Sequence, residues 1–197
     1  MLSYHEFQFF ILLFQLSTTT MSINGAVLKP DYSKIITDQP HLLPFEISSD
    51  GLETLKYKSP TSRQSLLIKL NDGESLNVNI SATDGYIYLT SKRLIFITAT
   101  QGDIQSFVID LNLSPILQLS HKIKSPWFGP NYWEFMFYSV LQPSIASDGF
   151  PKNQYYKGEI KFNDGGLFQF VEIINNVIND AINNREIDES LPQYSET

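Results

Sequence analysis

The stretch GYIYLTSKRLIFIT, residues 85–98, contains two short apolar runs separated by a polar turn. Aromatic and β-branched residues dominate both runs, which favours extended strands, and Ser91-Lys92-Arg93 between them is typical of a turn. The stretch therefore predicts two antiparallel strands, YIYLT over 86–90 and LIFIT over 94–98.

Similar apolar runs recur on both sides of this stretch, separated by turn signals such as Asn71-Asp72-Gly73, Asp84-Gly85 and Gln101-Gly102-Asp103. Strands at this spacing are typical of an antiparallel sandwich or barrel. The Pro-, Ser- and Gly-rich stretch 139–154 predicts a long loop between two strands. The further predicted strands are 65–70, 74–80, 104–111, 116–121, 132–138 and 156–162.

The hydrophobic period changes after Asn163-Asp164-Gly165-Gly166. Apolar residues then recur at i, i+3, i+4 and i+7, which predicts one amphipathic helix of about 17 residues with Asp164 as its N-cap. The predicted fold class is mainly β (α+β), with about seven antiparallel strands in a sandwich or partly open barrel. One C-terminal amphipathic helix caps it, which is the outline of a pleckstrin-homology-like domain. The apolar positions of this helix are Phe170, Val171, Ile174, Val177, Ile178, Ala181 and Ile182.

Composition narrows the class of protein. The 197 residues are 42% hydrophobic, enough for one sizeable core. Cysteine is absent, which excludes a disulfide framework and a thiolate metal site and favours a reducing compartment, the nucleus or cytoplasm rather than secretion. The net charge of −7 gives no indication of a basic surface for nucleic-acid phosphates, so direct nucleic-acid binding is not expected.

Catalytic motifs are missing from the sequence. The three histidines, His5, His41 and His121, are isolated, and none has metal-ligand spacing with Asp or Glu. There is no nucleophile elbow, phosphate-binding loop or dinucleotide fingerprint. We therefore expect a protein that is not an enzyme and that needs no metal and no cofactor.

The first twenty residues contain the apolar run FQFFILLFQL (7–16), which is too short to span a bilayer as a helix. No Lys or Arg precedes the run and no small-residue cleavage site follows it, which argues against a signal peptide. We expect Met21 to be the functional start; a cryptic signal or anchor and an ordered extra element are the alternatives. The predicted organisation is an N-terminal extension over 1–34, a folded domain over 35–184 and an acidic tail over 185–197.

Four stretches, in this order, resemble the GRAM domain of the WW domain-binding protein 2 family: 85–98, 104–111, 123–135 and 160–170. The most specific are Tyr-Leu-Thr-x-x-Arg-x-Ile-Phe, which ends at Phe96, and Pro-x-Phe-Gly-x-Asn-Tyr, which begins at Pro126. The resemblance covers about 35–184 and implies a pleckstrin-homology-like fold and a non-enzymatic adaptor with a coactivator role at chromatin. The family's Pro-rich tail is absent here, so the chain is most similar to a short, fungal-type member.

The chain ends on LPQYSET, which contains the Leu-Pro-x-Tyr motif formed by Leu191, Pro192 and Tyr194. WW domains bind extended polyproline-type segments, because these lose little entropy on docking. The motif lies in an acidic end, where a linear motif would be accessible. We expect it to bind WW-domain proteins, either HECT-type ubiquitin ligases or transcriptional regulators; an inert tail is the alternative.

The second hypothesis is that the folded domain docks onto membranes through phosphoinositides, with the tail incidental. It requires several basic residues on one surface, and the best adjacent pair is Lys92 and Arg93 at a hairpin turn. The competing interpretation makes Lys92 a solvated turn residue and Arg93 a structural one that pairs with a carboxylate or caps carbonyls. A recognition surface formed by Trp127, Phe128 and Trp133 is a further candidate, although aromatic residues at strand spacing more often belong to the core. Trp127 lies beside Pro126 and is a candidate contact at an exposed corner. The other basic candidates are scattered along the chain at Arg63, Lys69, Lys122 and Lys124.

Overall fold

The structure, a computed structural model, describes residues 21–48, 51–71, 79–143 and 146–190, with side chains as far as residue 183. This part of the chain is mainly β with a C-terminal helix, which confirms the predicted class. Its helices are α1 (Tyr32–Asp38), a 3-10 helix (Leu111–Leu113) and α2 (Leu167–Ser190). Its strands are β1 (Met21–Ile23), β2 (Leu55–Lys58), β3 (Gln64–Leu70), β4 (Asn79–Thr90), β5 (Arg93–Thr98), β6 (Ser106–Asp110), β7 (Ser120–Lys124), β8 (Tyr132–Ser139), β9 (Ser147–Asp148) and β10 (Gln154–Phe162).

The strands form one sheet with the order β7-β8-β10-β3-β4-β5-β6-β1-β9, and β2 pairs with β4. All pairs are antiparallel except β1 with β9. The prediction of about seven strands was too low, because β1, β2 and β9 are too short to leave an alternating pattern in the sequence. The last strand, β10, lies between β8 and β3, so residues far apart in sequence become neighbours there.

The sheet and α2 enclose the main hydrophobic core. Strand β8 buries Trp133, Phe135 and Phe137 at alternate positions, as a strand with one buried face must. Phe170 of α2 meets the Trp133 ring edge-on, with 5.4 Å between ring centroids. A second, smaller cluster on the other face of β4, β5 and β6 packs against α1 through Ile36. Strands covered on both faces explain the nearly continuous apolar runs of the opening stretch.

Two predicted strand boundaries were wrong. Asp84-Gly85 is not a turn, because β4 runs through it without a break. The Asp84 carboxylate accepts hydrogen bonds from Thr100 and Gln101, and a Cβ at residue 85 would overlap the Phe96 ring. Gly85 therefore allows the Phe96 ring to approach the β4 backbone closely.

The predicted strand over 116–121 begins later, at Ser120. The Leu117 amide donates to the Leu113 carbonyl, and Gln118 has a φ of 49°. These two features make residues 116–119 a turn that is buried at Leu117, so apolar content alone misled the assignment.

The ordered structure extends beyond the predicted domain limits on both sides. Strand β1 and the start of α1 precede residue 35, and α2 has 24 residues and ends at Ser190, beyond residue 184. Asp164 is not the N-cap, since α2 begins three residues later. Its carboxylate instead accepts a hydrogen bond from the Thr61 hydroxyl at 2.6 Å and pairs with Arg63 at 3.1 Å.

The predicted long loop over 139–154 is attached to the sheet at two described points. Strand β9 pairs with β1, and the Phe150 ring packs against Phe137 with 5.1 Å between centroids. Phe150 is only 3% exposed. The loop thus contributes to the core, which its polar composition did not indicate.

Candidate functional site

Arg93 is held inside the fold by Glu53. Its Nε donates to Glu53 Oε1 and its terminal nitrogen donates to Oε2, both at 2.8 Å. The Glu53 side chain is fully buried, and it also accepts from the Thr90 hydroxyl and the Ser48 amide at 2.7 Å. Arg93 thus pairs with a carboxylate, as its structural interpretation expected. We call Glu53 and Arg93 the buried pair.

The buried pair shifts the ionisation of its carboxylate. Burial by itself raises the pKa of Glu53, but hydrogen bonds from Arg93, Thr90 and Ser48, with the charge of Arg93, lower it overall. Asp110 lies nearby and is also buried, and burial raises its pKa above the usual value despite a hydrogen bond from the Asn112 amide. Glu53 is therefore ionised at neutral pH, and the Arg93 charge is matched within the fold.

Lys92 does not combine with Arg93 into a basic patch. The Lys92 amide donates to the Thr90 hydroxyl at 3.1 Å, and its carbonyl accepts from the Leu111 amide at 2.8 Å. Because the Arg93 guanidinium is directed to Glu53, the two neighbouring side chains do not present their charges together. The pair that the sequence favoured for lipid contact is thus a structural turn.

Trp127 and Phe128 lie on the loop that joins β7 to β8, and we call them the aromatic tip. Their exposed fractions are 98% and 93%, whereas Trp133 on β8 is fully buried. The whole loop over 125–131 is exposed. Adjacent large apolar side chains this exposed are unusual on a soluble surface, where they mark interaction sites. The prediction of an exposed corner at Trp127 agrees with this placement.

The outward residues of β7, β8, β10 and β3 form a grid beside the aromatic tip. Residues paired directly across antiparallel strands project on the same side of a sheet. Three adjacent rows carry five lysines and two glutamates, a formal excess of three positive charges. We call this surface the lysine face. From the aromatic tip outward its rows are Lys124-Tyr132-Lys161-Ser65, Lys122-Glu134-Glu159-Leu67 and Ser120-Met136-Lys157-Lys69.

Glu134 lies in the middle row and is contacted by three lysines. Its carboxylate is 2.8 Å from Lys157 Nζ, 3.3 Å from Lys122 Nζ and 3.9 Å from Lys124 Nζ. The Glu134 side chain is 10% exposed, against 38% for Lys157 and 62% for Lys122. One carboxylate cannot neutralise three ammonium groups. The cluster therefore keeps positive charge on its solvent side.

Within this cluster, Glu134 and Lys157 each favour the charged form of the other. Burial by itself raises the pKa of Glu134, but hydrogen bonds from Lys157 and Lys122 and the lysine charges lower it overall. The hydrogen bond to Glu134 raises the pKa of Lys157 and outweighs the lowering caused by burial. Both groups are therefore charged at neutral pH.

A pocket of about 310 Å³ opens on the lysine face between Lys122 and Lys157, and His121 contributes to its lining. Burial lowers the pKa of His121, and its Nδ1 accepts a hydrogen bond from Trp133 Nε1 at 3.3 Å. The imidazole is therefore neutral and adds no charge. This hydrogen bond holds the His121 ring against the core residue Trp133.

Sequence reasoning missed the two lysines of β10, Lys157 and Lys161. The alternation of YKGEIKF places Lys157, Glu159 and Lys161 on one side of a strand, and this signal was available. What the sequence could not supply was the insertion of β10 between β8 and β3. That order brings these lysines beside Lys122, Lys124 and Lys69.

Three further expectations concern the tail, the metal and the membrane. Leu191, Pro192 and Tyr194 lie outside the residues that the structure describes. Across the described ranges, no group of three or more His, Asp or Glu side chains could hold a metal ion. Within those same ranges, neither α-helix is both long and apolar enough to cross a bilayer.

Comparison with curated proteins finds a relative by sequence. The chain is 31% identical over 121 residues to a UPF0664 stress-induced protein of Schizosaccharomyces pombe. The match covers 58% of this chain and 63% of the relative, so the chain spans less than two thirds of the relative's length. No protein-family model matches the chain.

Among solved structures, the N-terminal PH domain of Vps36 is similar over 70% of this chain and 86% of that domain. The sequence identity is 14% and the TM-score is 0.43. The fold described above rests on the strand order and register of the chain itself and not on this likeness.

Proposed function

We propose that this protein is a non-enzymatic docking protein with a pleckstrin-homology-like GRAM domain. The proposal is supported by the sheet of mainly antiparallel strands whose core is completed by the C-terminal helix α2. The observation that carries the docking function is the aromatic tip, since Trp127 and Phe128 are 98% and 93% exposed at the end of a hairpin. Exposed apolar pairs of this kind are sites where a partner removes them from water.

A second candidate function, which combines with the first, is recruitment of WW-domain proteins by the tail. It is favoured by the sequence itself, which has a Leu-Pro-x-Tyr motif in an acidic stretch beginning at Leu191. The domain would bind one partner, and the Leu191, Pro192 and Tyr194 side chains would bind a HECT-type ubiquitin ligase or a transcriptional regulator. The adaptor would act in the nucleus or cytoplasm.

The tail function is tested by titrating the purified protein with isolated WW domains. We expect dissociation constants on the order of micromolar, because one short motif buries few side chains and must be ordered on binding. Tyr194→Ala should abolish binding, whereas Ser195→Ala, a matched change outside the motif, should leave it intact. Equal binding by the Tyr194→Ala variant and the unchanged protein would refute this function and leave the docking role of the domain standing.

A further inference from the structure

We propose that the aromatic tip and the lysine face form one surface that docks onto a bilayer carrying anionic lipid headgroups. The inference rests on the proposed docking function and names its partner. Trp127 and Phe128 enter the interfacial layer of the lipid, and the lysines lie over the charged headgroups. The surface thus combines an apolar contact with an electrostatic one.

The chemistry of the aromatic tip suits a lipid interface. Tryptophan and other amphipathic aromatic side chains concentrate at the headgroup level of membranes. The tip lies on a loop that is exposed over 125–131, so a flat surface can reach both rings. Pro126 and Pro130 flank the two aromatic residues and restrict the backbone, which lowers the entropy lost when the loop is immobilised.

The hairpin that carries the tip is fixed to the core. Trp133, next to the start of β8, is fully buried and stacks on Phe135 with 4.8 Å between ring centroids. Its ring also meets Phe170 of α2 and its Nε1 donates to His121 on β7. The tip is therefore presented by a rigid support, and docking requires no rearrangement of the sheet.

The charge pattern matches an anionic surface. The row nearest the tip carries Lys124 and Lys161, one on each side of Tyr132, and further lysines follow in the next two rows. Each lysine close to an anionic membrane strengthens binding by about fivefold. The chain as a whole carries a net charge of −7, so an anionic membrane repels it elsewhere and orients the lysine face towards the lipid.

Single-stranded nucleic acid is the other polyanion that binds lysines and aromatic rings. Proteins that bind it place aromatic side chains along a basic groove, so that successive bases stack while the backbone follows the charges. Here the two exposed rings are adjacent at one end, beyond the lysine rows. This arrangement favours insertion at a single point, which a bilayer permits.

The experiment is co-sedimentation of the full chain with vesicles of phosphatidylcholine alone and of phosphatidylcholine mixed with phosphatidylserine. We expect binding to the mixed vesicles that weakens as salt is added, because the headgroup contacts are screened. The double variant Trp127→Ala, Phe128→Ala should bind at least about tenfold more weakly. Phe168→Ala is the matched control, since Phe168 is another exposed aromatic residue, on α2.

Tryptophan fluorescence gives an independent readout. The chain has two tryptophans, and Trp133 is buried, so a blue shift on adding mixed vesicles reports Trp127 entering lipid. Both substituted tip residues are almost fully exposed, so the double variant should remain folded.

Equal vesicle binding by the double variant and the unchanged protein would overturn the proposal. So would an absence of binding to the mixed vesicles. Binding of a single-stranded oligonucleotide in that case would assign the surface to nucleic acid. Neither result depends on Tyr194, so the WW-domain function and this inference can fail separately.

Discussion

Two sites in this protein place basic side chains against one glutamate, a single arginine in one site and three lysines in the other. They differ in how far the charges are matched. In the buried pair, Glu53 holds the single guanidinium of Arg93 through two hydrogen bonds, and their side chains are 0% and 18% exposed. On the lysine face, Glu134 is contacted by three lysines, which are 38% to 62% exposed. The first cluster is neutral and closed, and the second is positive and open to solvent.

This difference separates a structural cation from a functional one. A buried charge must be compensated, because removing it from water is costly, so Arg93 has no charge left for a partner. Exposed lysines remain hydrated, and each pairs only weakly with the carboxylate that they share. Their excess positive charge therefore stays available to a partner. The position of Arg93 at a hairpin turn favoured it as a contact residue. Its guanidinium is instead largely buried and neutralised by Glu53, so Arg93 is structural.

Breaking the buried pair should have the largest effect. Glu53→Ala leaves the Arg93 guanidinium without its carboxylate, so we expect the free energy of unfolding to fall by about 3 kcal/mol or more. The measurement is equilibrium chemical denaturation of the variant and the unchanged protein at neutral pH. Loss of native signal before denaturant is added would agree with the same expectation.

The matched variant is Glu134→Ala on the lysine face. Since its partners are partly exposed lysines, the free energy of unfolding should fall by less than about 1 kcal/mol. If the two variants were destabilised equally, the distinction between a closed and an open cluster would be wrong.

Acid should also lower the free energy of unfolding, because it protonates Glu53 of the buried pair. The decrease should be smaller than that caused by Glu53→Ala. The folded-state pKa of Glu53 lies below its usual value of 4.5, so its stabilising contribution is complete above 4.5. That contribution is lost as the pH falls through the lowered value. Asp110 acts in the opposite direction, because its raised pKa makes its contribution decrease as the pH rises through that value.

Comparison with Glu53→Gln isolates the contribution of Glu53. The stability difference between the unchanged protein and this variant should be constant from neutral pH down to about 4.5 and shrink below it. Denaturation curves over a pH series measure that difference. A difference that grows on acidification would contradict the lowered pKa.

The sequence predicted the mainly β class, the C-terminal helix and the strands at 86–90 and 94–98, because these follow from local periodicity. It did not predict β1 or β9, whose pairing depends on contacts with distant strands. The Arg93 interpretation needed only its local signature, whereas the lysine face required the position of β10 in the sheet. Lysines that become neighbours through the strand order are far apart in the sequence, so a search for adjacent basic residues does not find them.

Removing a negative charge from the open cluster should have the smallest effect, in the direction of stronger binding. Glu159 lies in the middle row of the lysine face, and Lys157 Nζ is 3.7 Å from its carboxylate. Glu159→Gln keeps the shape of the side chain and raises the positive excess by one. We expect about fivefold tighter binding to vesicles containing phosphatidylserine.

The control for this last change is Glu172→Gln on α2, because α2 lies on the core side of the sheet and not on the lysine face. It removes the same charge from the whole chain, so any effect of net charge alone would appear in both variants. An affinity gain confined to Glu159→Gln would locate the electrostatic contact on the lysine face. Equal gains in both variants would mean that net charge governs binding, and the open cluster would then be no more functional than the buried pair.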